Sequence, residues 1–128
     1  MSIKIKVVEK GQPGVAGGGI KKFYASATTN GEMTLTKLTK RIEQTSTVNG
    51  ADIRAVLYAM VETMQDALED GQIVRLGDLG SLRISVSSNG EETAEDVTSR
   101  SIKSAKTVFT PGKNLKSMLK TLEYEKQS

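Results

Sequence analysis

The chain has 128 residues, 37% hydrophobic and only 4% aromatic, with no tryptophan and a formal net charge of +3. That is one domain's worth of chain with little side-chain bulk to bury, so oligomerisation is a physical expectation. Cysteine and histidine are both absent, which excludes a disulfide framework, a thiol or imidazole metal cluster, and Ser-His-Asp or Cys-His nucleophiles.

Residues 1–10 alternate as a strand, with Ile3, Ile5 and Val7 on one face and Lys4, Lys6 and Val8 on the other. This start has no apolar signal-peptide region, and no run in the chain approaches the roughly 18 apolar residues that span a bilayer. A soluble, cytoplasmic protein without a membrane partner is expected. Residues 11–19, Gly-Gln-Pro-Gly-Val-Ala-Gly-Gly-Gly, are predicted to form a flexible loop. No Gly-Lys-Ser/Thr follows them, so they do not make a phosphate loop. Residues 20–29 read as a second strand, closed by the turn Asn30-Gly31.

Thr34 is placed to cap a first helix running to about Thr45, with Leu35, Leu38 and Ile42 at helical spacing and Lys37, Lys40 and Arg41 on another face. Asn49 is placed to cap a second, with Asp52 three residues on. Ile53, Val56, Leu57, Met60, Val61, Met64, Ala67 and Leu68 form its wide apolar stripe, and Glu69-Asp70-Gly71 stops it. So broad a stripe can cover more than the chain's own sheet, leaving part of it for a second subunit.

Gly71–Val86 is predicted as two strands joined by a tight turn at Gly77-Asp78-Leu79-Gly80. On the second strand Leu82, Ile84 and Val86 face one way and Arg83, Ser85 and Ser87 the other. The polar stretch 87–99 holds Glu91, Glu92, Glu95 and Asp96 and reads as an exposed loop or arm tip. Its spacing is not that of a calcium-binding EF-hand loop, and no metal or cofactor is expected. Residues 100–109 return as a strand. Thr110 and Pro111 are then expected to open a third helix, as cap and first helical residue, with Leu115, Met118, Leu119 and Leu122 as its buried stripe.

Charge is unevenly distributed along this order. Residues 1–48 carry eight Lys and Arg against three acids, residues 49–99 three against ten, and residues 100–128 seven against two. A basic patch attracts polyanions through counterion release whatever the net charge. The segment 109–116, Phe-Thr-Pro-Gly-Lys-Asn-Leu-Lys, concentrates that property. A helix N-terminus offers unpaired N–H groups, Gly112 permits close approach to them, and Lys113 and Lys116 add charge on one face. Lysines there oppose the helix dipole, so an external anion would offset the cost. Lys103, Lys106 and Lys120 lie nearby in sequence.

Together these segments resemble the bacterial histone-like HU/IHF family over about Met33 to Leu122. Val74-Arg-Leu-Gly-Asp-Leu-Gly-Ser-Leu82 is similar to the family's Val-x-Leu-x-Gly-Phe-Gly-Thr-Phe hairpin, and Phe109–Lys116 to its Phe-x-x-Gly-Lys-x-Leu-Lys segment. The N-terminal strands, Leu-Gly-Asp-Leu-Gly and Ser-Ser-Asn-Gly-Glu-Glu look like an HU-related subgroup of Bacteroidetes. The resemblance implies an α+β fold: two N-terminal helices, a three-stranded antiparallel sheet with an arm, and a C-terminal helix. It implies an intertwined homodimer that embraces DNA. Residues 1–32 would then be an added β extension and residues 33–128 the DNA-binding domain.

The same resemblance implies DNA contacts at Gly80, Ser81, Arg100, Lys103, Lys106, Gly112, Lys113, Lys116 and Lys120. The function expected is architectural binding of double-stranded DNA in the bacterial nucleoid, with low sequence preference and through phosphates. No enzymatic activity and no small-molecule substrate are expected. The alternative is an HU-fold structural or interaction module that has lost DNA bending or binding. Two departures bear on the choice. The family's arm is basic and carries a wedging proline, whereas this arm tip is acidic and the only prolines are Pro13 and Pro111. Asp78 and Leu79 also replace the family's first hairpin glycine and its phenylalanine. Weaker and less bent DNA binding is therefore expected.

Overall fold

The computed structural model describes residues 1–127. In chain order its elements are β1 (Ile3–Lys10), β2 (Lys22–Ala27), α1 (Leu35–Thr45), α2 (Gly50–Glu69), β3 (Val74–Arg75), β4 (Gly80–Ser88), β5 (Ile102–Pro111), α3 (Lys113–Lys120) and β6 (Tyr124–Lys126). This is a mixed α+β fold with three helices. Its contacts gather into two units, Met1–Leu38 with Leu119–Ser128, and Thr39–Met118.

In the central unit, β3, β4 and β5 form an antiparallel sheet in that order. The register sets Leu82 opposite Phe109, Ile84 opposite Thr107 and Val86 opposite Ala105, so one sheet face is largely apolar. Helix α2 packs against this sheet. Its start follows from residue chemistry: the Asn49 side chain accepts from the Asp52 amide at 2.9 Å, satisfying a donor that the first turn leaves unpaired. At its end Gly71 takes φ 78°, a conformation that side-chain-bearing residues resist. Thr34 also caps as expected, its hydroxyl accepting from the Lys37 amide at 3.3 Å.

The hairpin is tighter than expected. Strand β3 is only two residues long, and Gly77–Leu79 form a short 3-10 turn that leads directly into β4. The arm tip is likewise more ordered than an open loop, containing 3-10 turns at Ala94–Asp96 and Ser99–Ser101. Ser101 is buried and anchors it: its hydroxyl accepts from the Thr98 amide at 3.1 Å and donates to the Glu91 carboxylate at 3.2 Å.

The start of α3 corrects the sequence reading. Thr110 does not cap the helix and Pro111 is not its first residue. Both belong to β5, where Thr110 pairs with Ser81 and Pro111 with Gly80. The helix begins at Lys113, and the Gly112 carbonyl accepts its first backbone bond, from the Lys116 amide at 2.9 Å. A proline is tolerated at a strand's end, where no ladder donor is required of it. The helix stops at Lys120, so Leu122 lies beyond it.

In the terminal unit the expected strands pair antiparallel, with Val7 opposite Ala25 and Lys10 opposite Lys22. An unexpected third strand joins them: β6 runs parallel to β1, Ile3 opposite Tyr124. The glycine-rich segment between β1 and β2 is not open coil. It contains a 3-10 turn at Ala16–Gly18 and closes on itself through the Gln12 amide and the Gly18 carbonyl.

Candidate nucleic-acid interface

Because β-strand side chains alternate, the face of the central sheet opposite its apolar one is defined by the same register. It presents Arg75, Ser81, Arg83, Ser85, Lys106 and Thr110. With Val108, which stands opposite Arg83, these are cations, hydroxyls and one apolar side chain, without a carboxylate among them. Hydroxyl and guanidinium donors suit phosphate oxygens, which accept several hydrogen bonds at once.

At one end of this face lies a recess of about 330 Å³, lined by Arg75, Gly80, Ser81, Thr110, Gly112 and Lys116 among others. Two glycines make its floor. Gly80 has φ 141°, and a Cβ there would overlap the Thr110 carbonyl oxygen. A Cβ on Gly112 would overlap the Asp78 carbonyl oxygen. The two segments pass so closely that only glycine fits at either position.

The structure brings Gly80, Ser81, Gly112 and Lys116, four of the residues named above, to one recess. Gly112 serves differently from the expectation, since its amide donates to the Leu79 carbonyl at 2.9 Å and is not open to a ligand. Lys113 is exposed at the first residue of α3 and is not in the recess lining. Lys106 stands on the polar sheet face, opposite Ser85. Lys103 is the extra residue at a bulge: Ser87 pairs with Ser104 and Ser88 with Ile102, leaving Lys103 unopposed. Arg100 is not in the strand but in the 3-10 turn at the arm, its amide held by the Thr98 hydroxyl at 3.2 Å. Lys120 is the last residue of α3 and is grouped with the terminal unit.

Sequence reasoning missed Arg75 and Arg83. Arg83 was legible as outward-facing by alternation. Arg75 needed the register that sets it opposite Ser81, which a two-residue strand hardly announces. Among the described residues none of Arg75, Arg83, Lys106, Lys113 and Lys116 has a carboxylate within 4.0 Å.

An antiparallel three-stranded sheet beneath a long capped helix, with a cationic, hydroxyl-rich outer face, defines an HU-like domain. The chain matches, over residues 1–126, the family described as "HU domain fused to wHTH, Ig, or Glycine-rich motif", and it belongs to that family. Its fold is similar to the crystal structure of a candidate bacterial DNA-binding protein from Bacteroides vulgatus, with a TM-score of 0.67 and 15% identity. The match covers 99% of this chain and 50% of that one, so the chain spans about half the length of that protein. No curated protein matches it. Among the described residues no helix is long and apolar enough to cross a membrane.

Proposed function

We propose that this chain binds duplex DNA in the manner of an HU-type nucleoid protein, gripping phosphates with little regard to sequence. The observation that carries this reading is the recess at Gly80, Ser81 and Gly112, where Arg75 and Lys116 bring two cations without an ion-pair partner to a lining that also holds the hydroxyls of Ser81 and Thr110. Arg83 and Lys106 extend the positive surface along the sheet. The Bacteroides relative's description as a candidate DNA-binding protein agrees with it. The reading is of a non-enzymatic, architectural protein.

The working form proposed is a homodimer. Among the described residues Ile53 is the one buried hydrophobic side chain, at 6% exposure. Further along α2 an apolar groove of about 550 Å³ lies open, lined by Val61, Met64 and Leu68 of α2 with Ile84 of β4 and Thr107 of β5. Val56 and Met60 are exposed on the same helix. A monomer that left this much apolar surface in water would be poorly stable, and a second copy offers a matching surface by twofold symmetry.

The second reading, an HU-fold interaction module without DNA binding, is favoured by the exposed acids Glu92, Glu95 and Asp96 at the arm, which would repel phosphates. Titration of a duplex of mixed sequence across salt decides between them. Phosphate binding makes log affinity fall linearly with log salt and changes little when the sequence is scrambled. Absence of binding at low salt would leave the interaction module.

A further inference from the structure

The terminal unit carries a second basic surface that the DNA-binding reading does not use. In the β2-β1-β6 sheet, the register places Ile3, Ile5, Val7, Glu9, Phe23, Tyr124 and Lys126 on one face. The other face carries Lys4, Lys6, Val8 and Lys10 of β1, Lys22, Tyr24 and Ser26 of β2, and Glu125 of β6. Glu125 is its single acid and is taken by Lys4, at 2.5 Å. Lys6, Lys10 and Lys22 remain exposed, with no carboxylate within 4.0 Å among the described residues.

We propose that this face binds single-stranded nucleic acid, with Lys6, Lys10 and Lys22 on the backbone and an unpaired base stacked on Tyr24. Three features carry the assignment. Lys10 stands directly opposite Lys22, a like-charge pair that costs sheet stability unless an anion sits over it. A face kept merely soluble would gain by pairing either lysine with an acid. Tyr24 lies on the same face opposite Val8, between Lys22 and Ser26 along β2, and keeps 39% of its surface exposed. An aromatic ring with Lys22 two residues away on its own strand, roughly 6.8 Å, and with Lys6 and Lys10 on either side of Val8 on the paired strand, is an arrangement on which bases and phosphates are held. The surface is also a sheet face, a form of surface on which the rings of unpaired bases stack.

The test uses the full chain and a fluorescently labelled oligothymidine of about 15 nucleotides, read by anisotropy at about 50 mM salt and above. Binding is expected, and Tyr24→Ala should weaken it tenfold or more while Tyr24→Phe retains it. The triple variant Lys6→Gln/Lys10→Gln/Lys22→Gln should reduce the salt slope by about 2, near 0.7 for each lysine neutralised. Lys22→Glu separates folding from binding: pairing with Lys10 should raise the melting temperature while affinity for the single strand falls. Lys116→Ala, in the duplex recess, should weaken oligothymidine binding far less than Tyr24→Ala does. The proposal is overturned if the oligonucleotide does not bind, if the triple variant binds it as well as the natural chain, or if Lys116→Ala weakens it as much as Tyr24→Ala does.

Discussion

The Gly112 amide donates to the Leu79 carbonyl at 2.9 Å, tying the start of α3 to the turn between β3 and β4. This bond holds the recess in shape, because it brings Lys116 on the helix and Arg75 on the hairpin to one concavity. It also explains why α3 starts late. The chain stays extended through Pro111, pairs with Gly80, and turns into the helix only after Gly112 has passed the Asp78 backbone.

Gly112→Ala should therefore act on stability before it acts on binding. A methyl group aimed at a backbone carbonyl cannot be relieved by a side-chain rotation, so the two segments must move apart. A loss of about 2 kcal/mol or more is expected, measured by urea denaturation. Equal midpoints for the variant and the natural chain would mean that the two segments cross with room to spare.

The recess can be tested separately from the fold. Arg75 and Lys116 are both exposed, so Arg75→Ala/Lys116→Ala should leave the melting temperature nearly unchanged. The duplex-DNA salt slope should decrease by about 1.8, near 0.9 for each phosphate no longer neutralised. An unchanged slope would remove both residues from the interface.

Self-association should depend on the groove beside α2. Val61 is 57% exposed and lines it. A carboxylate placed there by Val61→Asp would be desolvated in a packed interface, at a cost of several kcal/mol. The mass in solution should shift from dimer toward monomer, as read by light scattering or sedimentation. A natural chain that is already monomeric at micromolar concentration would contradict the dimer outright.

Asn49→Ala removes the cap of α2. The missing acceptor leaves the Asp52 amide unsatisfied, and the bond from the Asn49 amide group to the Asp52 carboxylate, 3.0 Å, goes with it. About 1 kcal/mol of stability should be lost. Asn49→Asp should recover most of it by restoring the acceptor and favouring the helix dipole.

Acid should loosen the terminal sheet. Hydrogen bonds from Lys4 and then Ser2, followed by the Lys4 charge, hold the Glu125 carboxyl below its ordinary range. A depressed carboxyl contributes stability that is present above its unfolded value, near 4.3, and is lost as pH falls through the folded one. The pair is exposed, so the effect is small. Comparing melting temperatures of the natural chain and Glu125→Gln should give a difference near neutrality that closes at about pH 3. Histidine is absent, so no side chain with an ordinary pKa in that range should add a step between pH 5.5 and 7.5.

The local grammar of the chain was readable without coordinates. Asn49 and Thr34 announced their helices because a cap depends on only three or four neighbouring residues. The alternation in β1 and β4 announced which side chains share a face. What tertiary structure alone decided were the pairings between distant segments. Pro111 beside Gly80, Arg75 beside Ser81 and Tyr124 beside Ile3 each depend on a register between separate stretches of chain. Local propensity cannot encode such a register: Thr-Pro-Gly reads equally well as a helix start or a strand end, until the backbone it must pass is in place.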